Sequence, residues 1–130
     1  ASIEDCTYIL GTAIGDESEI AGKILEWGAN MCVITLGEKG SFVKTREKEL
    51  HVPPFPDTIE NIVDQTGAGD CYAAGFLTHF LHSADPYASA VHATATTSYA
   101  IERSGGVVLE RMPDKQEVER RVEIINNIMK

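Results

Sequence analysis

The stretch Asp64-Gln65-Thr66-Gly67-Ala68-Gly69-Asp70 leads directly into the apolar run Cys71-Tyr72-Ala73-Ala74-Gly75-Phe76-Leu77. Residues 67–69 carry no bulky side chains, and the run that follows them is typical of a helix. The pattern predicts a helix whose N-terminus is bare and whose first turn holds a carboxylate. Free backbone N–H groups and the positive end of the helix dipole make such a terminus a site for anions.

The Asp70 carboxylate gives this predicted anion site a chemical purpose. A negative side chain repels a phosphate that is merely held, so it is out of place in a simple phosphate-binding loop. It fits a site where the carboxylate takes a proton from a nucleophile while backbone amides stabilise a transferring phosphoryl group. The leading hypothesis from the residues alone is therefore phosphoryl transfer to an alcohol.

Length and composition indicate one soluble globular domain with a sizeable core. The chain has 130 residues, of which 43% are apolar and 24% charged. Its net charge of −9 argues against a nucleic-acid or anionic-membrane surface, and no apolar run approaches the ~18 residues of a membrane span. Cys6, Cys32 and Cys71 lack metal-binding spacing, so they are interpreted as buried thiols in a reducing cytoplasm.

The N-terminal half of the chain is interpreted as a βαβ unit followed by a hairpin. Residues 8–10 are predicted as a buried strand, residues 16–27 as a helix, and residues 31–36 as a strand covered on both faces of a parallel sheet. A right-handed crossover would join the two strands. Residues 41–45 then return as a hairpin strand, and residues 50–52 form a short edge strand.

Helices dominate the C-terminal half. The helix after Gly67 should reach about His82. Asp85 and Pro86 are typical of the start of a second helix, which should run to about residue 103. Asp114 and Glu117 have the spacing of a capping box for the last helix. Small residues between 88 and 106 allow close packing against another helix or a flat ligand.

A second motif, Thr35-Leu36-Gly37-Glu38-Lys39-Gly40, lies at the carboxyl end of the predicted buried strand. Open α/β sheets bind their ligands at this end. Gly37 and Gly40 permit positive φ and close approach of the backbone to a ligand. Alone the motif fits any hairpin, and its pairing with residues 67–70 is what favours a ligand site.

Together the two motifs resemble those of the ribokinase-like (PfkB) family of carbohydrate and nucleoside kinases. The first is similar to that family's C-terminal signature, Asp-Thr-x-Gly-Ala-Gly-Asp, with Gln65 standing where Thr or Ser is usual. The resemblance implies that Asp70 is the catalytic base and that the amides of Gly67, Ala68 and Gly69 form an anion hole. It also implies that Thr35, Gly37 and Gly40, with Gly67 and Gly69, contact ATP.

The resemblance implies an α/β fold of the ribokinase-like, Rossmann-type, three-layer αβα class. It covers only the C-terminal half of such an enzyme, so residues 1–130 are interpreted as a single nucleotide-binding portion of a longer kinase, without the N-terminal lid and substrate half. The implied function is transfer of the ATP γ-phosphate to an alcohol group of a sugar, sugar phosphate or nucleoside. The fragment alone is expected to be inactive.

The same resemblance implies Mg²⁺ and suggests a monovalent cation such as K⁺, with Asp64 and the Thr66 carbonyl among its ligands. The magnesium ligands stay unassigned, because residues 11–17 lack the family's Asn-x-x-Glu motif. The substrate partner would be a sugar or nucleoside, with no nucleic acid and no membrane. The resemblance leaves room for a homodimer of the full-length protein in the cytoplasm.

Other nucleotide-binding and metal-binding patterns are incomplete in this sequence. The chain has no P-loop motif, and Tyr72 stands where a dinucleotide fingerprint needs its third glycine. His79, His82 and His92 have no suitably spaced carboxylate, so they are interpreted as surface or core histidines. A non-catalytic nucleotide-binding or regulatory module of the same fold remains the main alternative, and a decayed relative that acts in protein assembly is a weaker one.

Overall fold

The computed structural model describes residues 1–11 and 16–130. Two short 3₁₀ turns, Gly37–Lys39 and Leu109–Arg111, accompany the main elements. In chain order these are α1 Ile3–Leu10, α2 Glu17–Glu26, β1 Met31–Thr35, β2 Ser41–Thr45, β3 Glu49–Val52, α3 Thr58–Asn61, α4 Ala68–Ser83, α5 Pro86–Ile101 and α6 Lys115–Ile128. Across the described residues, no helix combines the length and apolarity that a membrane crossing requires.

The sheet is an antiparallel meander in the order β1-β2-β3. Val33 lies opposite Val43, and Val43 lies opposite Leu50, so two hairpins share the central strand. The predicted strands at 31–36, 41–45 and 50–52 are confirmed to within a residue at each end. β3 ends the strand order, as expected of an edge strand.

The predicted strand at residues 8–10 is wrong, because these residues close helix α1. Ser2 and Asp5 form a capping box in which the Ser2 hydroxyl accepts from the Asp5 N–H at 3.1 Å. Gly11 ends the helix in the left-handed conformation, with φ of 62°. Tyr8 is 89% exposed and Ile9 61%, so the apolar run that imitated a buried strand faces outward.

The predicted βαβ unit is therefore also wrong in its boundaries. The parallel partner of β1 in the described chain is the segment before α1, where Ser2 forms a parallel bridge with Thr35. The Thr35 N–H donates to the Ala1 carbonyl at 3.0 Å, and the Ala1 ammonium donates to the Val33 carbonyl at 3.2 Å. Helices α1 and α2 thus lie between this extended segment and β1 in the sequence.

Alternating side chains of the sheet reach two separate cores. On one face Cys32, Ile34 and Phe42 pack with residues of α1 and α2, among them Cys6 and Ile20. On the other face, Val43 and Val52 pack with residues of α4, α5 and α6, including Phe76, Val91 and Ile125. Helices therefore cover both faces, which confirms the three-layer αβα class. All three cysteines are buried free thiols.

Helices α4 and α5 approach each other closely through small residues. A Cβ on Gly75 would lie 3.2 Å from the Ala93 Cα, so glycine sets the distance between the two backbones. Ser89, Ala90 and Ala93 are fully buried on the facing helix. The predicted caps at Asp85 and Asp114 are confirmed, and α5 ends at Ile101, two residues before the predicted end.

The β1–β2 turn generates the first prediction. Gly40 has φ of 91°, and a Cβ there would overlap the Val52 carbonyl oxygen and lie 2.9 Å from the Pro53 carbonyl carbon. Gly37 has φ of 60° but open space around it. Gly40→Ala should lower the free energy of unfolding by about 3 kcal/mol or more, because strain and overlap add. Gly37→Ala should cost roughly 1–2 kcal/mol.

Urea unfolding of the two variants beside wild type measures the difference. Equal losses for Gly37→Ala and Gly40→Ala would show that the contact between this turn and the end of β3 does not constrain the fold.

Candidate active site

One cavity of about 360 Å³ brings the two sequence motifs together. Thr35, Gly37 and Gly40 line it from the loop after β1, and Ala68 and Gly69 line it from the first turn of α4. Residues 41–67 separate these two sets of residues in the chain. Parts of both motifs therefore meet at one cavity, at the carboxyl end of β1.

The loop after β1 is a closed, rigid turn. The Leu36 N–H donates to the Gly40 carbonyl at 2.9 Å, and the Gly40 N–H donates to the Gly37 carbonyl at 3.1 Å. Both glycines have positive φ, which makes the short connection to β2 possible. The turn therefore presents its backbone to the cavity in a fixed conformation.

The N-terminus of α4 is bare, as predicted. Gly67 is the N-cap residue with φ of 78°, and no side chain caps the helix. Ala68 donates its N–H to the Gln65 carbonyl at 3.0 Å, so this predicted anion-hole amide already has a partner. Within the part of the chain that is described, the amides of Gly67 and Gly69 donate to no protein atom. They are the two predicted donors available to a ligand.

Gly67 and Asp70 lie apart from the other predicted site residues. Both line a second groove of about 1110 Å³ between α4, α5, α6 and residues 107–113. Asp70 is exposed in the first turn of α4. The start of α4 therefore borders two openings, with Gly69 on the smaller cavity and Asp70 on the larger groove.

Asp64 fastens the loop before α4 to the turn after α5. Its Oδ1 accepts from the Thr66 N–H at 2.9 Å, and its Oδ2 accepts from the Gly105 N–H at 3.0 Å. Hydrogen bonds from the Thr66 side chain, the Thr66 N–H and the Gly105 N–H lower the pKa of Asp64 to about 2. A Cβ on Gly106 would lie 3.1 Å from the Thr66 carbonyl oxygen, so the two loops touch through their backbones.

No group of three or more His, Cys, Asp or Glu side chains in residues 1–11 and 16–130 is placed to hold a metal ion. His79 and His92 stack with ring centroids 3.8 Å apart, and His82 lies against the Thr78 carbonyl. The region where the family's Asn-x-x-Glu magnesium motif would fall, residues 11–17, includes residues 12–15, which lie outside the described residues.

Several cavity residues were not singled out from the sequence. Thr94, Thr97, Ser98 and Ile101 line the cavity from one face of α5. Their i, i+3, i+4, i+7 spacing, with hydroxyl residues at the first three positions, was the available signal. Phe55 lines it from the segment after β3, where the sequence showed only a proline-rich linker.

Tyr72 is a further cavity residue that the sequence did not reveal. Its hydroxyl donates to the Ser41 Oγ at 2.8 Å, which joins α4 to β2 beside the cavity. Burial raises the pKa of Tyr72 to about 12, so the phenol keeps its proton and remains a donor.

Comparisons with known proteins match most of this chain to one family. The sequence profile of the pfkB family carbohydrate kinases matches residues 2–111. A deoxyribokinase of Salmonella typhi is 33% identical over 85 residues, which are 65% of this chain and 27% of that protein. A nucleoside kinase of Methanocaldococcus jannaschii is 34% identical over 73 residues, covering 56% of this chain and 24% of that protein.

A solved structure shares the fold. The crystal structure of a putative ribokinase II of E. coli in complex with ATP and Mg²⁺ superimposes with a TM-score of 0.77 at 22% identity. The match covers 95% of this chain and 38% of that one. The chain thus spans about a quarter of the length of the curated relatives and well under half of the solved structure.

Asp64 generates a pH-dependent prediction. Its pKa in the folded chain lies below the ordinary 3.8, so its contribution to stability is fully present above about pH 4 and is lost as the pH falls toward about 2. Asp64→Asn removes this contribution. The difference in free energy of unfolding between wild type and variant should therefore shrink between pH 5 and pH 2.

Urea unfolding at several pH values measures this difference. Asp57→Asn is the control, because Asp57 is exposed and its side chain caps no helix. A wild-type–Asp64→Asn difference that stays constant with pH would contradict the assignment.

Proposed function

We propose a function on the premise that this chain belongs to the pfkB family of carbohydrate kinases. In this proposal the chain carries the ATP site and the catalytic base of a kinase for an alcohol acceptor. The acceptor would be a sugar, sugar phosphate or nucleoside. A deoxyribokinase and a nucleoside kinase among the relatives support the sugar and nucleoside classes. The observation that carries the proposal is the single cavity shared by Thr35, Gly37 and Gly40 with Ala68 and Gly69.

The cavity suits a nucleotide in size and lining. It holds about 360 Å³, within the range of small-molecule sites, and pairs apolar walls with a few polar groups. Gly69 supports this interpretation, because it has ordinary helical φ and open space where a Cβ would be. Packing does not require glycine there, whereas a ligand that approaches the backbone does.

The chemistry follows from the groups at the start of α4. The Asp70 carboxylate would take the proton of the acceptor hydroxyl as its oxygen attacks the γ-phosphorus of ATP. The bond between the γ-phosphorus and the bridging oxygen breaks, and ADP leaves with that oxygen. The Gly67 and Gly69 amides, together with the positive end of the α4 dipole, would stabilise charge on the transferring group.

Mg²⁺ enters this proposal bound to ATP, and its protein ligands stay unassigned. The described residues form no carboxylate cage for it. Magnesium in kinases is held largely by substrate phosphates and water with one or two carboxylates, so such a cage is not required. Its role when bound would be to neutralise phosphate charge.

The proposal treats residues 1–130 as the nucleotide-binding portion of a longer kinase. Support comes from a surface along α4 that continues from Asp70, where Leu77 is 56% and Leu81 81% exposed in line with exposed Ala73 and Ala74. Such an apolar stripe on a helix is normally covered. The remainder of the kinase, which would supply the acceptor site and the lid, would cover it.

Three further features belong to the same proposal. The buried free cysteines suit a reducing cytoplasm. The contact between the Thr66 carbonyl and Gly106 puts backbone oxygen beside the anion hole, which supports a K⁺ site near Asp64. A homodimer of the full-length protein remains a prediction from the family resemblance alone.

A non-catalytic nucleotide-binding module is the second candidate. The hydrogen bond from the Ala68 N–H to the Gln65 carbonyl favours it, because one of the three predicted anion-hole donors is already used. Such a module would bind ATP without transferring phosphate. Turnover measurements on the complete protein separate the two candidates.

Replacing Asp70 tests the catalytic role. In the complete protein, Asp70→Asn should lower the turnover number by ~10²–10⁴-fold, the usual contribution of a positioned general base, and leave ATP affinity nearly unchanged. ADP release with Mg²⁺–ATP and a panel of sugars, sugar phosphates and nucleosides provides the measurement.

Asp85→Asn is the matched control for this experiment. Asparagine caps a helix as well as aspartate does, and Asp85 starts α5 outside the cavity. Retention of more than roughly a tenth of the rate in Asp70→Asn would remove Asp70 from the role of base. Nucleotide binding without turnover on any acceptor would favour the non-catalytic module.

Gly69→Ala tests the nucleotide site. Alanine should raise the free energy of unfolding by up to about 1 kcal/mol, because it favours the helix and meets no atom. Its methyl group would project into the cavity and should weaken ADP binding. Gly22→Ala in α2 is the matched control, since it gains the same helix propensity at a distance from the cavity. Unchanged ADP affinity in Gly69→Ala would place the phosphates elsewhere.

A further inference from the structure

We infer that Arg121 is a positioning residue for the nucleotide cavity, because it holds two wall residues from different elements, Phe55 and Ser98, while lying outside the cavity itself. This inference rests on the proposed function, since it assumes that the cavity binds a nucleotide. It assigns part of the shape of that cavity to helix α6, which contributes none of the cavity's lining residues.

Three hydrogen bonds and two aromatic rings hold the guanidinium of Arg121. Nη1 and Nη2 donate to the two Glu102 carboxylate oxygens at 2.7 and 2.8 Å, and Nη1 also donates to the Ser98 Oγ at 2.6 Å. The guanidinium carbon lies 3.5 Å from the centroid of the Tyr99 ring and 4.3 Å from the centroid of the Phe55 ring. Only 14% of the Arg121 side chain is exposed.

These contacts fix side chains that face the cavity. Phe55 and Ser98 both line it, Phe55 from the segment after β3 and Ser98 from α5. The Ser98 hydroxyl donates to the Ala95 carbonyl at 2.7 Å while it accepts from Arg121, so its orientation is set at both ends. One cation therefore links two walls that otherwise belong to separate parts of the chain.

The geometry requires arginine specifically. A planar fork can donate to a carboxylate with two parallel bonds while its faces stack on aromatic rings. A lysine ammonium would keep the charge and one hydrogen bond but could not hold both rings and the hydroxyl at once. The charge-conserving substitution therefore separates positioning from simple charge balance.

The expected consequence lies at one end of the nucleotide only. Phe55 and Ser98 belong to the cavity walls, whereas Gly67 and Asp70 line the neighbouring groove. Loosening the Phe55 and Ser98 walls should weaken nucleotide binding and raise the KM for ATP. The turnover number at saturating ATP should change little, because the groups at the start of α4 keep their positions.

The test compares Arg121→Lys with wild type in the complete protein. Calorimetric titration with ADP and Mg²⁺ gives the dissociation constant, and circular dichroism confirms that the variant is folded at the titration temperature. We expect ADP affinity to fall by roughly tenfold or more, since small misplacements of positioning groups have effects of this size. Where an acceptor supports turnover, KM for ATP should rise by a similar factor with kcat nearly unchanged.

Arg120→Gln is the matched control, because Arg120 is the exposed neighbour on the same helix. It should bind ADP as wild type does. If Arg121→Lys does not fold, Glu102→Gln decides the matter, because it removes the carboxylate that orients the guanidinium but leaves both rings and Ser98 in place. We expect a several-fold loss of ADP affinity for this variant.

The outcomes are distinguishable. ADP affinity within twofold of wild type in folded Arg121→Lys or, where that variant does not fold, in Glu102→Gln would overturn the inference while the nucleotide site stands. Equal losses in Arg121→Lys and Arg120→Gln would also overturn it, because an exposed arginine outside these contacts would then matter as much as Arg121. Absence of ADP binding by the wild-type protein would remove the proposed function, and the inference with it.

Discussion

The contact between the Gly40 backbone and the end of β3 is the constraint on which the site depends. There is no room for a side chain between Gly40 and the Val52–Pro54 backbone, so the β1–β2 turn lies directly on the start of the linker. The linker then leaves β3 in one direction and delivers Phe55 to the cavity. The close approach of Gly40 to this backbone thus sets the position of the loop after β1 relative to the cavity wall that Phe55 forms.

The remaining walls depend on how closely α4 and α5 pack. Gly75 brings the two helix backbones together, and Tyr72 ties α4 to β2 through the Ser41 hydroxyl. Asp64 connects the loop before α4 to the turn after α5. Contacts with β2, α5 and the turn after α5 therefore hold the start of α4, and its free amides are what remains for a ligand. In the proposed function, that arrangement would stabilise phosphate charge without any rearrangement of the donors.

Elements with strong local signals were predictable from the sequence. The caps at Asp85 and Asp114, the periodicity of residues 16–27 and the glycine before α4 indicated four helix starts. The motifs at Thr35–Gly40 and Gly67–Asp70 supplied the candidate site residues, of which Gly67 and Asp70 lie outside the cavity. Helix α1 was missed because three consecutive apolar residues imitate a strand, although Ser2 and Asp5 provide a helix start. Phe55 and Arg121 could not have been found, because their roles come from long-range contacts that leave no local pattern.

The part of the chain that matches the family profile is shorter than the part that packs into one core, as helix α6 shows. The match to the family profile ends at residue 111, yet Ile125 is completely buried in the core beneath the sheet. Loss of a buried isoleucine side chain costs about 2–5 kcal/mol in typical cores. A gene fragment cut where the similarity stops would keep every recognisable motif and still leave a hole in its interior. Boundaries for expression or for domain exchange should therefore keep α6 together with Met129, which packs against the same core.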